Sequence, residues 1–310
     1  MRTLNKQEIM DILIGCTILG TGGGGALKEG IEAVERELAA GKEFKLLDFS
    51  EIRDDGYYTN PYLCGTVVPD DQMVELSGQE LPDAIRALES YMKVEFHGLL
   101  SIEYGGGNTG VAMAAAAHMG KYMVDADAAG RAVPELQFST YYIREQPIAP
   151  FSVSTIYGDA VIVQKVADDA RAEALSRFMA VGSGGLVGMA DHPIRGDRLR
   201  TSVIPNALSY AEQVGRARRL ACESGGDPIQ AILGAGGGQL LYQGTVTPDT
   251  HWEIKDGFTL GDIYLTDQAD GGLVRIWYKN ENMICWKDGA VVLTCPDLIC
   301  VVDSATGMPL

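Results

Sequence analysis

Apolar positions recur at two different periods along this chain. Over the first forty residues the period is that of a helix. Asn5-Lys6-Gln7-Glu8 predicts a capping box, and Ile9, Ile12, Leu13 and Cys16 then fall on one face. The run Gly20–Gly25 breaks this helix. Residues 26–40 predict a second, with Leu27, Ile31, Val34 and Leu38 inward and Gly41 stopping it. Residues 44–49 predict a short strand, and so do residues 62–68, which Pro69 ends. A helix follows over 82–92, with Pro82 suited to its first turn.

The next unit is a strand (99–104), a glycine loop, an alanine-rich helix (109–119) and a strand ending in acid (122–125). That order is a βαβ unit, and open α/β sheets bind small molecules beyond the carboxyl ends of such strands. Residues 151–166 alternate as strands around Gly158-Asp159, and 167–180 and 206–224 predict helices. From Gln239 the period becomes two. Runs at 239–246, 262–265, 273–279, 283–286, 290–294 and 298–302 are separated by Gly, Asp and Asn turns, as in a small barrel or sandwich. The predicted organisation is an α/β domain over 1–165 and a second part over 166–310. That second part is a helical connection (166–238) followed by an all-β body (239–310).

Composition narrows the field. At 310 residues and 46% apolar the chain can bury a sizeable core. No apolar run reaches the roughly 18 residues of a spanning helix, and the opening MRTLNKQEIM has no signal-peptide core. A cytoplasmic, soluble protein is expected. The net charge of −17 argues against nucleic acid and against anionic membranes. The six cysteines form no Cys-x-x-Cys pair and are expected as reduced thiols. Cys295 reads either as an active thiol or as a half-buried strand cysteine. The four histidines are scattered, and His192 is expected in a loop, lining a site or solvated. The all-β tail has an edge to cover, which argues for a homo-oligomer.

Three glycine clusters stand out, at 20–25, 105–110 and 234–238. The first fits Gly-x-Gly-x-x-Gly literally, with Asp48 ending the next strand. A dinucleotide fingerprint needs a strand before its glycines, and here the pattern is helical. Three readings stay open: a dinucleotide site, a helix–helix turn bordering a site that Gly22, Gly23 and Gly24 would line, and a purely structural turn. The second cluster follows a strand and opens a helix. Gly105, Gly106 and Gly107 let backbone approach a ligand, and Asn108 or Thr109 can cap the helix whose N-terminus favours an anion. Its structural alternative is tight strand–helix packing. Asp125 and Asp127, two apart on a strand, face one side. With Glu135 they are candidate acid–base groups or ligands of a divalent metal, although no ligand set singles out an ion. Arg131 can hold one of them ionised or grip a substrate carboxylate. No organic cofactor is expected.

Taken together these stretches resemble a known family, named for S-methyl thiohydantoin desulfurase. The matching segments are Ile18–Gly25, Gly105-Gly106-Gly107-Asn108-Thr109, Val124-Asp125-Ala126-Asp127, Gly130-Arg131-Ala132-Val133-Pro134-Glu135 and Gly236-Gly237-Gly238. Asn280-Glu281-Asn282, Lys287-Asp288-Gly289 and Pro296-Asp297-Leu298-Ile299 also fit. The resemblance implies an N-terminal three-layer α/β/α domain and a C-terminal mostly-β, barrel-like domain. It also implies hydrolysis at the C–S carbon of a methylthio-substituted hydantoin ring, releasing a thiol. Family members usually continue beyond the stretch matched by Asp303–Pro309, so the β domain is expected to be shortened. Under this reading Asp125 and Asp127, with Glu135 in reserve, divide the acid and base roles. The glycine loop and Arg131 would hold a small, carboxylate-bearing substrate. A non-catalytic accessory protein of hydantoin metabolism, and a dinucleotide-dependent oxidoreductase, are the alternatives.

Overall fold

A computed structural model describes residues 1–65, 76–255 and 257–310. In chain order its first part runs β1 (Arg2–Leu4), α1 (Lys6–Leu19), α2 (Leu27–Ala39), β2 (Phe44–Leu47), β3 (Tyr57–Gly65), α3 (Glu80–Met92), β4 (Phe96–Ser101), α4 (Gly106–Met119) and β5 (Tyr122–Asp127). It continues through α5 (Thr140–Ile143), β6 (Phe151–Ser154), β7 (Ala160–Val163), α6 (Asp169–Val181), β8 (Leu186–Arg195), α7 (Gly196–Leu199), β9 (Ile204–Pro205), α8 (Ala207–Ser224) and α9 (Pro228–Gly236). The remaining strands are β10 (Gly244–Val246), β11 (His251–Lys255), β12 (Phe258–Asp267), β13 (Leu273–Lys279), β14 (Glu281–Lys287) and β15 (Ala290–Thr294).

The first sheet has the order β1-β2-β5-β4-β3-β8-β6-β7, with β9 also on β5. Its centre, β2-β5-β4-β3, is parallel, and the flanking pairs are antiparallel. Helices cover both faces, because the central strands are apolar on both sides. On one face Ile9, Leu13, Val34, Leu88, Leu99, Met123 and Ala211 form a core under α1–α4 and α8. On the other, Val124, Tyr141, Phe151, Ala172 and Met189 form a second core. The predicted capping box opens α1: Glu8 N–H donates to Asn5 Oδ1 at 3.0 Å, and Asn5 N–H to Glu8 Oε2 at 2.7 Å.

The second sheet is antiparallel throughout, in the order β10-β12-β13-β14-β15 with β11 also on β12. Its core is small: Leu265, Val274, Ile276, Cys285 and Ile299. The molecule is thus an α/β domain followed by a domain rich in antiparallel strands. Among the described residues no helix is long and apolar enough to cross a membrane.

Several local expectations need correction. Of the strand predicted over 62–68, residues 62–65 belong to β3 and 66–68 lie outside the described residues. The run 298–302 is not a strand; Val302 makes one bridge, to Pro309. Its backbone is diverted to other partners, since Asn282 Nδ2 donates to Ile299 O at 2.9 Å. The run 239–246 is a strand only at Gly244–Val246, while β11, exposed along its whole length, carries too little apolar signal to be seen. The largest miss is β8. Asp191-His192-Pro193 looks like a turn, but these residues lie in a ten-residue strand between β3 and β6. Both Asp191 oxygens and His192 Nδ1 find partners inside the protein, which removes most of the reason to be at the surface.

Candidate active site

The two glycine clusters meet. A Cβ on Gly24 would overlap the Tyr104 carbonyl and Gly105, and one on Gly105 would overlap Gly24. Across this contact Asn108 N–H donates to Gly24 O at 2.9 Å and Gly107 N–H to Gly25 O at 3.3 Å. The first amides of α4 are therefore spent on the first glycine loop. The segment before that loop is α1, a helix, so the strand–loop–helix geometry of a dinucleotide fingerprint does not form there. Asp48 caps a short turn, accepting from Ser50 N–H at 2.8 Å.

Asp125 and Asp127 lie on the same side of β5 as Met123, as their spacing predicts, and both are buried. Asp125 accepts from Ser209 N–H at 3.0 Å and Ser209 Oγ–H at 2.5 Å, which ties it to the first turn of α8. Asp127 accepts from the N–H groups of Ala129 (2.7 Å) and Gly130 (2.5 Å), and its Oδ2 has no partner. Burial pushes this carboxyl up to about 7, against the pull of those two N–H groups. Glu135 pairs with Lys279 Nζ at 2.6 Å. Arg131 is buried and donates to Thr21 Oγ1 (3.2 Å) and to the carbonyls of Ala132 (3.0 Å), Asn282 (3.0 Å) and Asp297 (3.4 Å). It pins the first glycine loop to the second domain.

Between the domains lies a cleft of about 700 Å³. Gly22, Gly23, Gly24, Gly107 and Asn108 line it, whereas Asp125, Asp127, Glu135 and Arg131 do not. Four carboxylates do, Glu29, Glu103, Glu173 and Glu281, and of these Glu103 and Glu281 come from the two different domains and interact with one another. Glu103 reaches it from the segment between β4 and α4. Asn108 Nδ2 donates to Glu103 Oε1, and Val133 N–H to Oε2, both at 2.8 Å. Glu281 enters from the start of β14, and a Cβ on Gly23 would overlap its side chain. Glu281 Oε2 is buried without a partner. Burial raises both carboxyls; the charge of Glu103 raises Glu281 further, while Arg131 and Lys279 partly offset it. Two such groups bordering one cleft do not both ionise near neutrality, which is the condition an acid–base pair requires.

Glu103 had a readable signal: an acid between a strand end and a glycine loop. Glu281 had only the polar Asn280-Glu281-Asn282 hairpin, from which a reach across the interface is conceivable but a plain turn is the default reading. Cys295, in the turn after β15, is not among the lining residues. His192 is buried in β8 rather than in a loop. Among the described residues, no three His, Cys, Asp or Glu side chains converge as a metal ion would require.

Fold and cleft define a two-domain α/β protein with a carboxylate pair at its domain junction. The chain belongs to the S-Me-THD-like family, whose N-terminal domain profile matches residues 7–165 and whose C-terminal domain profile matches 167–310. It is also similar in fold to a protein from Chromobacterium violaceum solved by X-ray crystallography. The two are 23% identical with a TM-score of 0.73, over 96% of this chain and 81% of the other. Among curated proteins, nothing matches the chain.

Proposed function

We propose that this protein hydrolyses a small, methylthio-substituted heterocycle of the hydantoin type in the interdomain cleft, releasing a thiol. The observation that carries the reading is the pair Glu103 and Glu281, one from each domain, both held toward the protonated form beside open space. In this reading the roles that the sequence placed on Asp125, Asp127 and Glu135 pass to this pair. Glu103, fixed by Asn108 and Val133, is the base; Glu281 is the acid.

Glu103 takes a proton from water as its oxygen bonds to the ring carbon that bears sulfur. Glu281 protonates the adjacent ring nitrogen. The tetrahedral adduct then loses its hydroxyl proton to Glu281 as the C–S bond breaks, giving a ring carbonyl. The thiolate takes the proton held by Glu103, and both groups return to their starting forms. Arg177 also lines the cleft, but its guanidinium is already engaged by Glu173 and by the carbonyls of Gly65 and Gly257, and it packs 4.6 Å from the Phe258 ring centroid.

The test is thiol release from methylthio-hydantoin analogues, followed with a thiol reagent. Wild-type protein is expected to release one thiol per ring. Glu103→Gln and Glu281→Gln are expected to release almost none while keeping the wild-type circular dichroism spectrum. Absence of release from wild type would overturn the hydrolase reading.

A further inference from the structure

On the β3–β8 side of the cleft a second set of polar groups is buried, and the proton transfers above do not use it. Tyr62 lines the cleft from β3, and its hydroxyl donates to Asp191 Oδ2 at 2.7 Å. Asp191, fully buried on β8, has its other oxygen 3.0 Å from His192 Nδ1. The far side of that ring, Nε2, lies 3.6 Å from Asp169 Oδ2, and the ring stacks on Tyr141 at a centroid distance of 4.5 Å. Tyr141 is fixed in turn by donating to Asn60 Oδ1 at 2.8 Å.

The protons in this chain can be assigned. Burial by itself would lower His192, but Asp191 and Asp169 outweigh it and hold the ring up at about 9. The ring is thus held toward its protonated form, with one nitrogen toward Asp191 and the other toward Asp169. On the other side of Asp191, its Oδ2 stands as acceptor to the Tyr62 hydroxyl. Burial and the Asp191 charge keep the Tyr62 phenol well above its ordinary value, so it keeps its proton, and that proton is committed to Asp191. What the Tyr62 oxygen has left to offer is a lone pair.

We propose that Tyr62 is a specificity-determining residue that accepts a hydrogen bond from an N–H of the bound ring, with Asp191 and His192 as positioning residues that keep its own proton turned away. The proposal rests on the reading of the cleft as a ring-substrate site. A molecule offering only an acceptor at this position would face oxygen against oxygen and leave a buried polar atom unpaired. Selection for a ring N–H over the N-methylated ring follows, because methylation removes the donor and adds bulk at the same point.

The test is calorimetric binding of unsubstituted hydantoin and of its two singly N-methylated forms to the whole protein. Wild type is expected to bind the unsubstituted ring about tenfold more tightly than one methylated isomer. Tyr62→Phe is expected to erase that difference by weakening the unsubstituted ring alone. Asp191→Asn, which frees the phenol proton to turn toward the cleft, is expected to shrink it while shifting the His192 imidazole titration to lower pH by nuclear magnetic resonance. If Tyr62→Phe keeps the discrimination or weakens all three rings equally, or if wild type binds all three alike, the role of Tyr62 is overturned and the ring reading stands. If wild type binds none of the rings, the ring reading falls and takes this proposal with it.

Discussion

Two pairs of carboxylates sit near the glycine loops, and they differ in what surrounds them. Asp125 and Asp127 are two apart on one strand and turned into packed protein, where Ser209 answers Asp125 and the amides of Ala129 and Gly130 answer one oxygen of Asp127. Glu103 and Glu281 are 178 residues apart in the chain, come from different domains, and border a cleft. The first pair is close in sequence and closed in space; the second is the reverse. Spacing along a strand therefore reports which side a group faces, not whether that side is solvent, cavity or helix.

The largest expected effect separates the pairs by rate. Glu281→Gln should lower kcat for thiol release by about 10²- to 10⁴-fold, the range of a general acid or base, whereas Asp125→Asn should leave kcat within about twofold. A rate loss on Asp125→Asn as deep as on Glu281→Gln would erase the distinction. Next comes Gly23→Ala, whose new methyl group would occupy the position of the Glu281 carboxyl. A loss of kcat of about tenfold or more is expected with folding intact, checked by stopped assays beside a thermal melt.

A smaller effect concerns Asp127 and pH. Its folded carboxyl titrates near 7, well above the unfolded value, so folding favours the protonated form. That stability is present below about pH 4, is lost as the pH rises from about 4 to 7, and is flat above. The difference in unfolding free energy between wild type and Asp127→Asn should change by about 1–3 kcal/mol across that window in urea titrations. A difference that stays level would mean Asp127 ionises freely in the folded state. The smallest effect is Asp125→Ala, which removes the anchor of α8's first turn and should cost about 1–2 kcal/mol, read from the denaturant midpoint.

Much of the first domain was legible because its elements announce themselves locally. Asn5 and Glu8 cap α1 as their spacing requires, and the alanine run packs α4 against its neighbours. The antiparallel character of the tail followed from alternation. What escaped notice depended on distant partners. β8 reads as a loop because Asp191 and His192 are polar, and groups far away in sequence answer their burial: Tyr62 on Asp191 and Tyr141 stacked on the His192 ring. Glu281 defaults to a plain turn residue for the same reason, since its significance comes from the loop at Gly23. The glycines at 105–107 were legible as close-approach residues, but the backbone they approach is the other glycine loop.

That last contact limits how the chain can vary. Gly24 and Gly105 mesh like opposed teeth, and the bonds from Asn108 and Gly107 set which tooth meets which gap. A one-residue insertion in either run would slide the mesh, moving Gly23 off Glu281 and Asn108 off Glu103 together. The lengths of the two loops are thus a single dimension of the protein: neither can be edited without a matching edit in the other.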